Sequence, residues 1–302
     1  MRRASPARRA IGVLILAVAL GAAAFFWLTR PQPLPAGAMA GLSGDADRGE
    51  RVFWAGGCAG CHAAPDAEGE ARLTLAGGRR FVTDFGTFVA PNISSHPQAG
   101  IGGWSALDLA NAMRRGLSPT GAHYYPAFPY TSYARTPLRN IADLHAYLRT
   151  LPESGAEPPG HDLSFPFTLR RGLGLWKRFN LSEGWVVTAE LTDQQRRGRA
   201  LVEGTGHCGE CHTPRAPGGG LKLDAWLSGA PLPDSDGSAP NLTPAALDWS
   251  EADISYYLET GFTPDFDSVG GAMVEVVDNT AELPAEDRDA IAAYLKAVPA
   301  VQ

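Results

Sequence analysis

The sequence predicts an all-α protein in which two tandem copies of one small domain follow an N-terminal apolar helix. Three observations predict this: a 19-residue apolar run near the N-terminus, an internal duplication along the remaining chain, and amphipathic segments that end at glycine. Between these segments the chain is rich in glycine and proline, and no convincing series of alternating residues indicates strands. The roughly 270 residues beyond the apolar run are enough for two ordinary domains.

The apolar run extends from Ala10 to Leu28, and as a helix it is about 28 Å long, close to the ~30 Å core of a bilayer. A cleavable signal has an apolar core of only ~7–15 residues. The first small-x-small site, Ala38-Met39-Ala40, lies a dozen residues beyond the run. We therefore expect residues 1–30 to be an uncleaved signal-anchor, with a removed signal as the alternative, and residues 31–44 to be a Pro/Gly-rich stalk. Four arginines precede the run, namely Arg2, Arg3, Arg8 and Arg9, and they predict a cytoplasmic N-terminus.

The duplication consists of short matching segments that recur in the same order at offsets of 145 to 150 residues. So many matches in order indicate two copies of one domain, 45–152 and 191–302, joined by a linker, 153–190. The clearest pairs are Pro91-Asn92 with Pro240-Asn241, Trp104-Ser105 with Trp249-Ser250, Gly116 with Gly261, and Pro119 with Pro264.

Helix signals repeat with the duplication. Ser105 is a candidate N-cap for a helix that runs to about Arg115 and ends at Gly116, and Ser250 begins the matching helix that ends at Gly261. A final helix is predicted from Pro284 to Ala297, because its apolar residues recur at helical spacing.

Each copy contains a C-x-x-C-H motif, and together the two motifs use all four cysteines of the chain. The motifs are Cys58-Ala59-Gly60-Cys61-His62 and Cys208-Gly209-Glu210-Cys211-His212. On a helix the two cysteines share one face and can form thioethers with one porphyrin, while the histidine can bind the iron from the same side. A zinc site or a redox dithiol would need further ligands or a different fold around the motif. We therefore predict two covalently attached haem c groups, and since c-type haem is attached outside the cytoplasm, the chain must be exported.

A distal methionine would complete one site. Met273 follows a glycine-rich segment 61 residues after His212, and we predict that it is the distal ligand of haem 2, since methionine is a common sixth ligand of c-type haem. Met273 lies nine residues after Pro264. The residue nine after Pro119, the matching proline of the first copy, is Phe128, which cannot bind iron.

The sixth ligand of haem 1 therefore stays open at the level of sequence. His123 lies just before the loop that contains Phe128. Met113 lies inside a predicted helix, where a position in the core is favoured. Haem 1 has His123 or Met113 as its distal ligand, or it has an open position.

The linker carries Trp176, Lys177, Arg178 and Phe179 close to Arg170 and Arg171. Aromatic residues in a linker usually bury themselves against the domains that it joins, so we favour a strap across both domains. A docking surface for a partner or a membrane is the alternative.

The sequence resembles the membrane-anchored dihaem c-type cytochromes that are related to the cytochrome subunits of periplasmic alcohol and aldehyde dehydrogenases. The resemblance covers nearly the whole exported chain and lies in the segments 116–133, 161–167, 206–215 and 270–273. It departs where relatives commonly carry a methionine, at Phe128 or shortly after Tyr133. This departure agrees with the alignment of the two copies, in which Phe128 stands where the second copy has Met273, and it puts methionine ligation of haem 1 in doubt.

The resemblance implies two tandem cytochrome c-type domains that carry electrons. It implies a periplasmic dehydrogenase as donor, a quinone, small cytochrome or oxidase as acceptor, and a single-pass inner-membrane location with the haem domains on the periplasmic side. A peroxidase-like enzyme acting at an open haem 1 is the alternative, although no acid–base residue is convincingly placed beside it. The net charge of −6 argues against nucleic acid as a partner.

Overall fold

The computed structural model describes residues 6–232 and 237–301, so Arg2 and Arg3 lie outside the described residues. In chain order, its helices are α1 Pro6–Leu28, α2 Ala46–Ala55, α3 Cys58–His62, α4 Ala106–Arg115, α5 Tyr130–Tyr133, α6 Leu138–Leu148, α7 Leu173–Asn180, α8 Asp193–Arg199, α9 Gly209–His212, α10 Glu251–Thr260, α11 Met273–Thr280 and α12 Ala285–Ala297. The strands are β1 Arg80–Thr83, β2 Gly86–Val89, β3 Asp162–Leu163, β4 Ala230–Pro231 and β5 Ser238–Ala239.

Helix α1 is long and apolar enough to cross a membrane, with a mean hydropathy of 2.5 over its most apolar 18 residues. None of its residues is buried against the rest of the protein. An apolar helix with no protein contact along most of its length is compatible with a membrane anchor.

Each domain is built on a close crossing of its first and last helices. In the first domain α2 packs on α6, and a Cβ atom at Gly49 would lie only 2.1 Å from the Asp143 carbonyl oxygen. In the second, α8 packs on α12, and a Cβ atom at Gly198 would lie 1.8 Å from the Ala290 carbonyl oxygen. Only glycine permits backbones to approach this closely, so both crossings depend on one residue type.

The predicted helix boundaries around α4 and α10 are confirmed. Ser105 and Ser250 both cap with their side chains and form capping boxes, with Asp108 and Asp253 as the partners. Gly116 and Gly261 end the two helices in the left-handed conformation.

The described residues are rich in helix, as predicted, but an all-α fold is not confirmed, because small antiparallel sheets accompany the helices. Strands β1 and β2 form a hairpin that turns at Asp84 and Phe85, and β3 from the linker pairs with β2. In the second domain β4 pairs with β5. These strands have two to four residues each, too short for an alternating pattern to stand out.

The linker contacts both domains and the end of α1. The indole Nε1 of Trp176 donates to the carbonyl oxygen of Gly218 in the second domain, at 2.7 Å. Its ring lies 6.3 Å from that of Tyr130 in the first domain. Arg171 and Arg178 donate to carbonyl oxygens of Phe26 and Leu28. The linker thus contacts both domains, as expected of a strap, and two of its arginines also hold the end of α1.

Candidate haem sites

The first C-x-x-C-H motif forms α3, with Cys58 partly buried and Cys61 exposed. The Nδ1–H of His62 donates to the carbonyl oxygen of Pro91 at 2.9 Å. A histidine whose Nδ1 is held by a backbone carbonyl presents Nε2 as its free lone pair, which is the arrangement typical of metal-bound histidine.

The second motif repeats this geometry in α9. The Nδ1–H of His212 donates to the carbonyl oxygen of Pro240 at 2.8 Å. Burial lowers the pKa of His212 and likewise that of His62, which keeps both imidazoles neutral. Burial also raises the pKa of the Cys58 and Cys208 thiols, each to about 12.

The two Pro-Asn pairs therefore have a function that the sequence pattern did not reveal. Each proline supplies the carbonyl that orients a haem-site histidine, and the asparagine beside it braces the loop. Asn92 accepts a hydrogen bond from the amide of Ser94 at 2.9 Å, and Asn241 accepts one from that of Thr243 at 2.8 Å. The repeated pair was visible as a motif, but only the fold brings it against the histidine 28 or 29 residues earlier.

The residues fit c-type haem. Each site offers two thiols for thioether bonds and one neutral imidazole with a free Nε2. When bound, haem supplies one-electron chemistry by cycling its iron between Fe(II) and Fe(III).

The distal positions differ between the domains. Met273 begins α11, is partly buried and packs against the hydrophobic core. Phe128, its counterpart in the repeat, packs between the rings of Tyr124 and Tyr133 at centroid distances of 6.0 and 5.5 Å. The first domain thus places an aromatic ring where the second places a thioether.

Backbone hydrogen bonds confirm the register on which this pairing of Phe128 with Met273 rests. Leu117 bridges His123 and Phe262 bridges Ser268 in the same antiparallel manner. The amide of the residue after His123 donates to Gly116, and that of the residue after Ser268 donates to Gly261, both at 2.7 Å. An offset of 145 residues therefore aligns the two distal loops.

His123 has both ring nitrogens occupied by the protein. Its Nε2–H donates to the carbonyl oxygen of Thr29 at 2.9 Å, and its Nδ1 accepts from the ammonium of Lys177 at 3.2 Å. Lys177 also donates to the carbonyl oxygens of Arg115 and Gly116. His123 therefore ties the end of α1 and the linker to the first domain, and neither nitrogen is free to bind iron.

Met113 is buried in the core on α4, as the sequence favoured. A second methionine near the first domain was not considered from the sequence. Met39, in the stalk, packs against the same core.

The two attachment segments meet at the interface between the domains. His207 directly precedes Cys208, and Gly56 lies two residues before Cys58. The Nε2 of His207 is 3.3 Å from the carbonyl oxygen of Gly56. The phenol of Tyr133 donates to the same oxygen at 3.3 Å.

Each domain also packs a distal segment against the other domain's motif. Glu210, inside the second motif, accepts hydrogen bonds from the hydroxyls of Thr131 and Ser132 on α5, at 2.7 and 2.8 Å. The second domain contacts the first motif in the same way. Glu275, on α11, lies next to Gly60, where an added Cβ atom would be 3.1 Å from its carboxylate, and it forms an ion pair with Arg79. The two motifs therefore face each other across a reciprocal interface.

These features define a protein with two covalent haem sites on two tandem helical domains. A family model described as Cytochrome c matches residues 46–152 and 187–299. The chain belongs to the cytochrome c family, carries two haem c groups and functions in electron transfer.

The chain is also similar to curated proteins. The chain is 56% identical over 295 residues to a "Diheme cytochrome c-type" protein of Cereibacter sphaeroides, covering 98% of this chain and 100% of the relative. It is 36% identical to the "Fructose dehydrogenase cytochrome subunit" of Gluconobacter japonicus, covering 84% of this chain and 52% of the relative. It is 32% identical to the "Alcohol dehydrogenase (quinone), cytochrome c subunit" of Gluconobacter oxydans, covering 84% of this chain and 55% of the relative. The chain therefore spans about half the length of these two dehydrogenase subunits.

Proposed function

We propose that Cys58 and Cys61 bind haem 1 covalently and that Cys208 and Cys211 bind haem 2. His62 and His212 are the proximal ligands, and Met273 is the distal ligand of haem 2. The matching Nδ1 hydrogen bonds of the two histidines support this assignment, since they orient both rings in the same way.

Electrons pass between the two haems across the domain interface. The observation that carries this proposal is the reciprocal packing of the motifs, with His207 against Gly56 and Glu210 against Thr131. Partly buried polar contacts of this kind can hold two cofactors at a fixed separation, which a carrier with two haems requires.

The electron donor is a dehydrogenase, because several relatives are named as cytochrome subunits of dehydrogenases. A quinone, a small cytochrome or an oxidase is the acceptor. Helix α1 anchors the chain in the inner membrane, with domains 45–152 and 191–302 on the periplasmic side. The same names favour a carrier over a peroxidase-like enzyme.

Peptide mass spectrometry of the purified full-length protein tests the haem assignment. Both C-x-x-C-H peptides should carry one haem each. A matched pair of variants, Cys58→Ala/Cys61→Ala and Cys208→Ala/Cys211→Ala, should each retain one haem, on the motif that was left intact. An unmodified motif in the wild-type protein would contradict the assignment.

Peroxide turnover separates a carrier from a peroxidase. A carrier should not accelerate peroxide reduction, even where carbon monoxide binds to reduced haem 1, because neither Phe128 nor His123 offers a distal ligand there. Fast binding at one haem together with peroxidase turnover would favour the enzyme instead.

A further inference from the structure

The repeat allows the surfaces of the two domains to be compared position by position. In the first domain, the face formed by α4 and the following loop is covered by the stalk, the end of α1 and α7. We define the corresponding face of the second domain, on α10 and the loop that follows it, as the open face. Residues 256–268 form it.

Three pairs show the difference. Asn111 accepts a hydrogen bond from the amide of Leu34 in the stalk at 2.8 Å, whereas its counterpart Tyr256 is 54% exposed. Leu117 is 3% exposed, whereas its counterpart Phe262 is 48% exposed.

The third pair is Gly121 and Phe266. A Cβ atom at Gly121 would lie 3.6 Å from Pro31 of the stalk, whereas Phe266 is 91% exposed. The stalk thus reaches this point of the first domain, and the described residues place nothing comparable over the second.

Phe266 also adopts an unusual backbone conformation. Its φ is +63°, in the left-handed region that its counterpart Gly121 also occupies with φ +80°. A bulky residue is strained there, and such strain is concentrated at functional positions. The fold therefore displays a large aromatic side chain at a position that glycine would occupy more easily.

The loop of the open face is acidic. Residues 256–268 contain Glu259, Asp265 and Asp267 and no lysine, arginine or histidine. Glu259 pairs with Arg288 at 3.1 Å, so Asp265 and Asp267 carry the negative charge beside Phe266. Asp265 and Asp267 flank Phe266 directly, and both are exposed. An apolar centre with an acidic border is complementary to a surface with an apolar centre and a basic border.

The open face is adjacent to the distal side of the second domain. A Cβ atom at Gly261, which begins the loop, would lie 2.6 Å from Val269 and 3.6 Å from Val277 of α11. Met273 begins the same helix.

We propose that the open face is the docking site for a redox protein with a basic contact surface, which exchanges electrons with haem 2. The proposal rests on the proposed function of Met273 and haem 2. Phe266 is the central contact, and the surrounding carboxylates steer the partner. A second copy of this chain or an anionic membrane would bring negative charge against negative charge, so both are disfavoured as occupants.

The test measures electron transfer from the reduced full-length protein, in detergent and with both haems, to oxidised mitochondrial cytochrome c, a strongly basic carrier. Phe266→Gly restores the residue type of the first domain and relieves the strain, so it should fold. It should lower the second-order rate constant about tenfold, as expected for loss of a central aromatic contact. Asp265→Asn/Asp267→Asn should lower the rate at low salt and flatten its salt dependence.

Two controls make the result specific. Glu153→Gln/Glu157→Gln removes the same charge from exposed linker positions and should leave the rate unchanged. Reduction of ferricyanide, a small oxidant that needs no docking surface, should be equally fast in all variants at high salt, where its own charge is screened.

Equal rates with cytochrome c in the wild type and in the Phe266 and Asp265/Asp267 variants would overturn the docking proposal. Dimerisation of the wild type that Phe266→Gly abolishes would also overturn it, in favour of a second copy as the occupant. Failure of the proposed function has a different signature, because the wild type would then not reduce ferricyanide either.

Discussion

The histidines of the two C-x-x-C-H motifs are held alike, so the difference between the two haem sites lies in single residues of the loops around Phe128 and Met273. Met273 offers a thioether, whereas Phe128 offers only a ring packed among tyrosines. His123, which the sequence left open as a ligand, is instead bonded at both nitrogens to Thr29 and Lys177. The sequence could show that His123 lies near the distal loop, but not that the end of α1 and the linker return to it, because those contacts span 94 and 54 residues.

Replacing Met273 with alanine should open the sixth position of haem 2. The reduced variant should bind one carbon monoxide more per protein than the wild type, as measured from the change in the haem absorption spectrum. Met113→Leu is the matched control, since Met113 is buried on α4 and leucine preserves the core. Carbon monoxide binding that is unchanged by Met273→Ala would rule out Met273 as the ligand.

Lys177 should make the stability of the protein depend on pH. Burial lowers its pKa from 10.5 to about 7, so between these values the unfolded chain binds a proton that the folded protein does not hold. The contribution of Lys177 to the free energy of unfolding should therefore rise with pH between about 7 and about 10.5. The melting temperature of the wild type should increase relative to that of Lys177→Met over this range.

The exposed Lys222 provides the comparison for this effect. Lys222→Met should follow the wild type at every pH. If Lys177→Met and Lys222→Met show the same pH profile, burial of Lys177 does not control the stability.

At the scale of elements, the helix ends that the sequence predicted correctly are those determined by a single capping residue. Ser105 and Ser250 begin helices and Gly116 and Gly261 end them, because capping and the left-handed conformation are determined locally. The small sheets were missed because strands of two to four residues carry little pattern, and β3 reaches β2 only through the linker. The strap stays a prediction: Trp176 contacts both domains, whereas Phe179 is 81% exposed, and the bonds of the linker to α1 depend on tertiary structure.

The crossings at Gly49 and Gly198 should tolerate no side chain. Gly49→Ala and Gly198→Ala should each reduce the free energy of unfolding by about 1–3 kcal/mol, because the added methyl group meets a backbone carbonyl that cannot move freely. Thermal or denaturant unfolding measures the loss. Gly155→Ala is the control, since a Cβ atom there has no neighbour within 4 Å, and a comparable loss in this variant would refute the role of close packing.

At the scale of the whole molecule, duplication has produced two similar haem domains that differ in their surroundings. The stalk, the end of α1 and the linker cover the first domain, whereas the matching face of the second is open. The sequence revealed the duplication and the unequal distal residues, since both are local patterns. It could not reveal the reciprocal interface, in which Glu210 meets Thr131 and Glu275 meets Gly60, because no local pattern encodes a contact between copies.

The central claim is that the two haems are ligated unequally and that electrons therefore move from haem 1 to haem 2. A spectroscopic redox titration of the full-length protein tests it most directly. We expect two separate one-electron steps, with the higher potential at haem 2, because a methionine ligand raises the potential. In Met273→Ala only the higher step should shift downward. Two haems that titrate together at one high potential would contradict the claim.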